Sequence, residues 1–102
     1  MSLRQLPSSE VPIIEPISIL IPATASRTIS FPDEFFGRAV AVIITNLDAT
    51  NVATYIINGG SNPTLTLRTD TSRIINDTII NLLTIQAGAT GAVQIEAQVL
   101  LI

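Results

Sequence analysis

The sequence predicts an all-β chain: a single-domain β-sandwich or jelly roll of about eight antiparallel strands with an extended N-terminal arm. Three observations carry this. Hydrophobic residues make up 47% of the 102 residues, and β-branched Ile, Val and Thr are prominent among the commonest types, which favours pleated strands. Short apolar or alternating runs recur at intervals of roughly ten residues, with Gly, Pro, Asn, Asp and Ser between them. Helix formers are scarce: Lys is absent, and the few Glu and Gln are scattered. A chain of this length has room for one core.

Residues 1–16 read as an extended arm and residues 17–102 as the folded domain. Pro7, Pro12 and Pro16 each fix φ and remove a donor, which excludes a helix and a central strand there. Val11, Ile13 and Ile14 make that arm partly apolar, which favours an arm lying across a neighbouring subunit over a frayed end.

Ile17–Ile21 alternates as a first strand and stops at Pro22. Arg27–Phe31 is a second, stopped by Pro32, and 33–37 form a turn or a single helical turn. Residues 38–45 are apolar on both faces, with Val40, Val42 and Ile44 on one and Ala39, Ala41 and Ile43 on the other, so this strand needs cover on both sides. Strands over 52–57 and 64–68 flank Asn58-Gly59-Gly60-Ser61, the strongest turn signal in the chain. Residues 73–75 are short and extended, and 79–86 form another strand. After the turn at 87–91, residues 92–102 place Val93, Ile95, Ala97, Val99 and Leu101 on one face; Leu100 and Ile102 break the polar face opposite. Ala25-Ser26-Arg27-Thr28-Ile29 echoes Thr71-Ser72-Arg73-Ile74-Ile75. Asp48-Ala49-Thr50-Asn51-Val52 likewise resembles Gly88-Ala89-Thr90-Gly91-Ala92. Both would follow from two Greek-key halves or from convergent turn chemistry.

The residue inventory argues against an enzyme. There is no His, Cys or Lys, which removes the commonest general base, metal ligands, activated thiol and Schiff-base amine. The adjacent Asp33 and Glu34 cap local backbone better than they converge on a substrate. Asp48, Asp70 and Asp77 fall in turns, where Asx capping is the default and calcium binding the alternative. Asn58-Gly59-Gly60-Ser61 lacks the helix and lysine of a phosphate loop. No cofactor is expected. Phe35 and Phe36 plug the open end of the core, or one of them anchors a partner.

Charged residues make up 13% of the chain, about half the usual share, and the net charge is −3. The five basic residues, all Arg, are dispersed, so no nucleic acid partner is expected. No early apolar run is long enough to cross a bilayer, and the first residues lack a signal-peptide core. Apolar strand surface in excess of what one small sandwich hides implies burial between copies. The interface expected from the sequence consists of Ile13, Ile14, Val40, Val42, Ile44, Leu100 and Ile102.

Thr66 to Ile75 (TLRTDTSRII) and Ile85 to Ile95 (IQAGATGAVQI) resemble small β-sandwich virion proteins of tailed phages and archaeal viruses, the head-decoration and accessory types. The resemblance implies a symmetric homo-oligomer, often a trimer, bound to a capsid protein through an extended arm. Such a protein is made in the host cytoplasm and resides in the virion. A carbohydrate- or receptor-binding module and a filament or surface-layer subunit are the rival expectations.

Overall fold

Residues 13–102 are described by a computed structural model, and their elements follow the order β1 (Ile13–Ile21), β2 (Ser26–Ser30), α1 (Phe31–Phe35), β3 (Ala39–Asn46), β4 (Ala53–Ile57), β5 (Leu65–Leu67), β6 (Thr71–Ile75), β7 (Leu82–Ala87) and β8 (Val93–Leu101). The strands form two four-stranded antiparallel sheets of order β1-β8-β3-β6 and β2-β7-β4-β5. Alternation makes this a two-layer fold: the odd residues of β8 are buried while Glu96 and Gln98 face water. The buried residues of both sheets form one core, including Ile21, Ile29, Phe31, Val42, Ile44, Leu83, Ile85 and Ile95. The all-β sandwich of eight strands expected from the sequence is therefore present.

Pairing β1 with β5, β2 with β6, β3 with β7 and β4 with β8 turns the order of the first sheet into that of the second, reversed. The two sequence echoes fall on matching places in these halves. β2 and β6 are both edge strands, and the β3–β4 and β7–β8 loops are equivalent. Those loops also touch: Asn51 Nδ2 donates to the Ala92 carbonyl at 3.3 Å, and a Cβ on Gly91 would lie 2.6 Å from that amide nitrogen. The echo is thus structural as well as textual.

β6 starts two residues earlier and β7 three residues later than the sequence reading, and three further departures bear on the surface. β1 begins at Ile13, and Pro16 lies inside it opposite Gln98. Proline is tolerated because β1 is an edge strand, where one side of the backbone needs no ladder partner. Residues 13–16, expected in the arm, thus belong to this strand, and the rest of the expected arm, residues 1–12, lies outside the described residues. Second, the register against β8 shifts between Ala39 and Ala41. This bulge at Val40 puts Ala39 on the same buried side as Val42 and Ile44, where strict alternation would have put it opposite. Third, Phe31 does not end a strand; it opens α1, with Pro32 in the first turn.

The acidic pair is spent on α1. Glu34 accepts from the Ser30 backbone N–H at 3.0 Å and from Arg27 at 3.1 Å, and Asp33 accepts from the Ser30 hydroxyl at 2.9 Å. Asp48 is spent in the same way on the β3–β4 loop. Its carboxylate accepts from the backbone N–H groups of Asn51 and Thr50. These bonds, Asn51 first, hold its pKa below the ordinary carboxylate value. Because the folded state favours the ionised form, this stabilisation is present above the ordinary value and is lost as pH falls through the lowered one. In urea melts at stepped pH, Asp48→Asn is expected to be less stable than wild type at neutrality, with the gap closing on acidification. A gap constant with pH would remove the charge from the explanation.

Candidate interaction surface

The two outer faces of the sandwich differ in chemistry. On the β2-β7-β4-β5 sheet, the outward positions include Ser26, Thr28, Thr54, Thr66, Thr84 and Gln86, and the Thr28 and Thr84 hydroxyls share a 2.9 Å hydrogen bond. That face is hydroxyl-rich, with Ile56 and Leu82 as its outward aliphatic residues. On the β1-β8-β3-β6 sheet, the outward residues form rows across the strands. One row is Ile14, Leu100 and Ala41, and the next is Pro16, Gln98, Ile43 and Ile74. The third row is polar (Ser18, Glu96, Thr45 and Ser72), and its Thr45 and Ser72 hydroxyls lie 2.7 Å apart. Leu20, 64% exposed, lies outward beyond this row opposite Gln94, so exposed aliphatic side chains run along the face and are densest in the first two rows; Glu96 is its one charged side chain among the described residues.

The first two rows form a shallow groove lined by Ile14, Ala41, Ile43, Gln98, Val99 and Leu100. Ile14 is 68% exposed and Ile74 65%. Covering a fully exposed Ile side chain contributes about 1.5–3 kcal/mol, so these positions dominate the energetics of any contact made here. The groove opens at the end of the sandwich where the described chain starts and β8 finishes. Beside that end, Arg38 and Ile102 exchange backbone hydrogen bonds at 3.1 and 3.0 Å. Phe36 stands there 92% exposed, with a left-handed backbone (φ 57°, ψ 29°), next to Pro32, Gly37, Arg38 and Ile102.

The expected interface residues thus separate. Ile14, Leu100 and Ile102 lie at the surface, Ile102 being 40% exposed and Leu100 half-buried. Val40 is half-buried at the bulge. Ile13 pairs with Leu101 through the backbone ladder, and its side chain lies outside the described residues. Val42 and Ile44 are corrections: both are 0% exposed in the core and offer no surface. The outward apolar residues of β3 are Ala41 and Ile43, with Thr45 beyond them; the strand's two apolar faces gave no sign of which one turned inward. Ile74 was missed for the same reason, being one of two adjacent isoleucines of which Ile75 is the buried one. The expected Phe35–Phe36 plug also divides: Phe35 packs on the core, its ring 6.0 Å from Phe31, while Phe36 points to solvent.

Little on this surface is poised for chemistry. Asp48 and Asp70 meet through a backbone hydrogen bond at 3.2 Å, whereas Asp77 lies in the β6–β7 connection, away from them. Among the described residues no three His, Cys, Asp or Glu side chains gather to hold a metal. Arg27 pairs with Glu34, and no other ion pair occurs among the described residues.

No family model and no curated protein matches the sequence. Among solved structures, the fold is similar to the crystal structure of Fe(II) HppE, with a TM-score of 0.57 and 13% sequence identity; the match covers 84% of this chain and 43% of that one. The chain spans less than half the length of that protein, and at this identity the likeness shows the fold alone. The sequence has no His and no Cys to serve as metal ligands.

Proposed function

We propose that this chain is a non-enzymatic structural protein that works as a symmetric homo-oligomer, with a trimer favoured, as a decoration or accessory component of a virion. The observation that carries this reading is the pair of aliphatic rows on the β1-β8-β3-β6 outer face, set against the hydroxyl-rich face opposite. An assembling subunit needs such an asymmetry, one face to bury and one to leave in water. The virion setting rests on the sequence resemblance, and a capsid protein is the further partner it implies. Of the carboxylates, Asp33, Glu34 and Asp48 are committed locally, each serving backbone or neighbouring side chains.

Light scattering on the purified protein tests the reading. The expected mass is a small multiple of 10.8 kDa. Ile43→Arg and Ile74→Arg are expected to reduce it to one copy while leaving the circular dichroism of the fold unchanged. A monodisperse wild-type monomer at high concentration would overturn it. A second reading, a carbohydrate- or receptor-binding module, draws on Phe36, an exposed aromatic at one end of the sandwich. Glycan binding by the isolated protein separates the two.

A further inference from the structure

We infer that Asn58 is a site of spontaneous chain modification, a deamidation by the backbone of Gly59, which the fold holds off with the same hydrogen bonds that the reaction destroys. The inference is independent of the assembly reading. It starts from the turn between β4 and β5, where Asn58, Gly59 and Gly60 take φ of 59°, 57° and 62° in succession. Asparagine and glycine are the residues that tolerate this left-handed backbone. A Cβ on Gly59 would meet nothing within 4 Å, so its φ and not crowding calls for glycine there. The turn thus selects asparagine followed by glycine. In that pair the backbone nitrogen reaches the side-chain amide most freely, because no Cβ shields it.

In the reaction the Gly59 backbone nitrogen gives up its proton and attacks Asn58 Cγ. The N–Cγ bond forms, the Cγ–Nδ2 bond breaks, and Nδ2 leaves with the proton as ammonia. Water then opens the cyclic imide at either carbonyl and yields aspartate or isoaspartate at position 58. Water is the only co-reactant.

The folded chain commits the amide elsewhere. Asn58 Oδ1 accepts from the backbone N–H groups of Asn81 at 2.8 Å and Leu82 at 3.2 Å, and Nδ2 donates to the Ile79 carbonyl at 3.0 Å. Turning Cγ onto the Gly59 nitrogen gives up these bonds together, so the reaction waits for the turn to open. Closure is then lost with the product. Aspartate keeps acceptors for Asn81 and Leu82 but has no donor, and it sets a carboxylate oxygen against the Ile79 carbonyl. Isoaspartate routes the main chain through the former side chain and loses all of these bonds. The connection so released also anchors its neighbours. The Phe31 N–H donates to the Asn81 carbonyl at 2.9 Å, and Ala39 and Ile80 exchange backbone bonds at 3.0 and 2.8 Å. Each opening that reacts therefore leaves this end of the sandwich permanently loosened.

The test is incubation at mildly alkaline pH, native and in guanidinium chloride, followed by peptide mass mapping and isoaspartate detection. The expected rate at Asn58 is at least about tenfold lower in the native chain than in the unfolded one. Asn62→Ala removes the Nδ2 bond to the Ile57 carbonyl (2.7 Å) that closes the turn, and it leaves the Asn-Gly pair intact. It is expected to raise the native rate severalfold and leave the unfolded rate unchanged. Gly59→Ala, read in the unfolded chain so that its folding does not matter, is expected to slow the reaction. The refolded isoaspartyl product is expected to exchange the amide hydrogens of Asn81 and Leu82 at least about tenfold faster than the parent chain. Equal rates in native and unfolded wild type overturn the protection. No reaction in the unfolded chain overturns the site. Unchanged exchange in the product overturns the release of the 79–82 connection.

Discussion

Replacing Phe31 with alanine is expected to cost about 3–5 kcal/mol of folding stability, as for other fully buried phenylalanines. A chain of this size has about 5–15 kcal/mol in total, so the variant should lie near its unfolding threshold. The ring is wholly buried and caps the end of the core between the two sheets, stacked at a tilt of 34° against Phe35. It is also held in place by its own backbone, whose N–H donates to the Asn81 carbonyl at 2.9 Å. Neighbouring side chains therefore have little freedom to collapse into the space. Phe36→Ala provides the contrast: its side chain is almost fully exposed, and the expected change is within about 0.5 kcal/mol. Urea midpoints of the two variants check both values. Similar losses at the two positions would mean that the pair acts together as the plug.

Asn46→Ala is expected to cost about 2–4 kcal/mol, the largest effect of any polar substitution in the core. Asn46 is the one buried polar side chain among the described residues. Its Nδ2 donates to the Asn51 carbonyl at 2.9 Å and the Leu67 carbonyl at 3.3 Å, and its Oδ1 accepts from the Asp48 N–H at 2.9 Å. One amide thus ties the β3–β4 loop to the end of β5 across the sandwich. Alanine leaves two carbonyls and an N–H without partners, each at about 1–3 kcal/mol if water does not reach it. Asn46→Asp is expected to be destabilising as well, since a carboxylate cannot donate to either carbonyl. The measurement is the urea midpoint; a loss below about 1 kcal/mol would show that solvent replaces the amide.

Asn46 also marks where sequence reading stops. It stands at the end of a strand, beside Leu47 and Asp48, and reads as the first residue of a polar loop. Only the partners from β5 and the adjoining loop make it a core residue. The same holds for Val40. A run of small and branched apolar residues does not show where a bulge will fall, and a bulge decides which face of the strand is buried. Phe35 and Phe36 are equivalent in the sequence, and the left-handed residue ending α1 separates them. Pro16 argued against a strand because the reading could not know that β1 is an edge.

The sequence alone determined the class of fold, the strand count, most strand positions and the poverty of catalytic groups. These are local properties, written in alternation, turn residues and composition. The tertiary structure alone decided which side of each doubly apolar strand turned inward, and so moved the candidate surface from Val42 and Ile44 to Ala41, Ile43 and Ile74. Facing is a property of the packed pair of sheets: one bulge or one strand at an edge reassigns it, and neither leaves a signature in the residues that it moves.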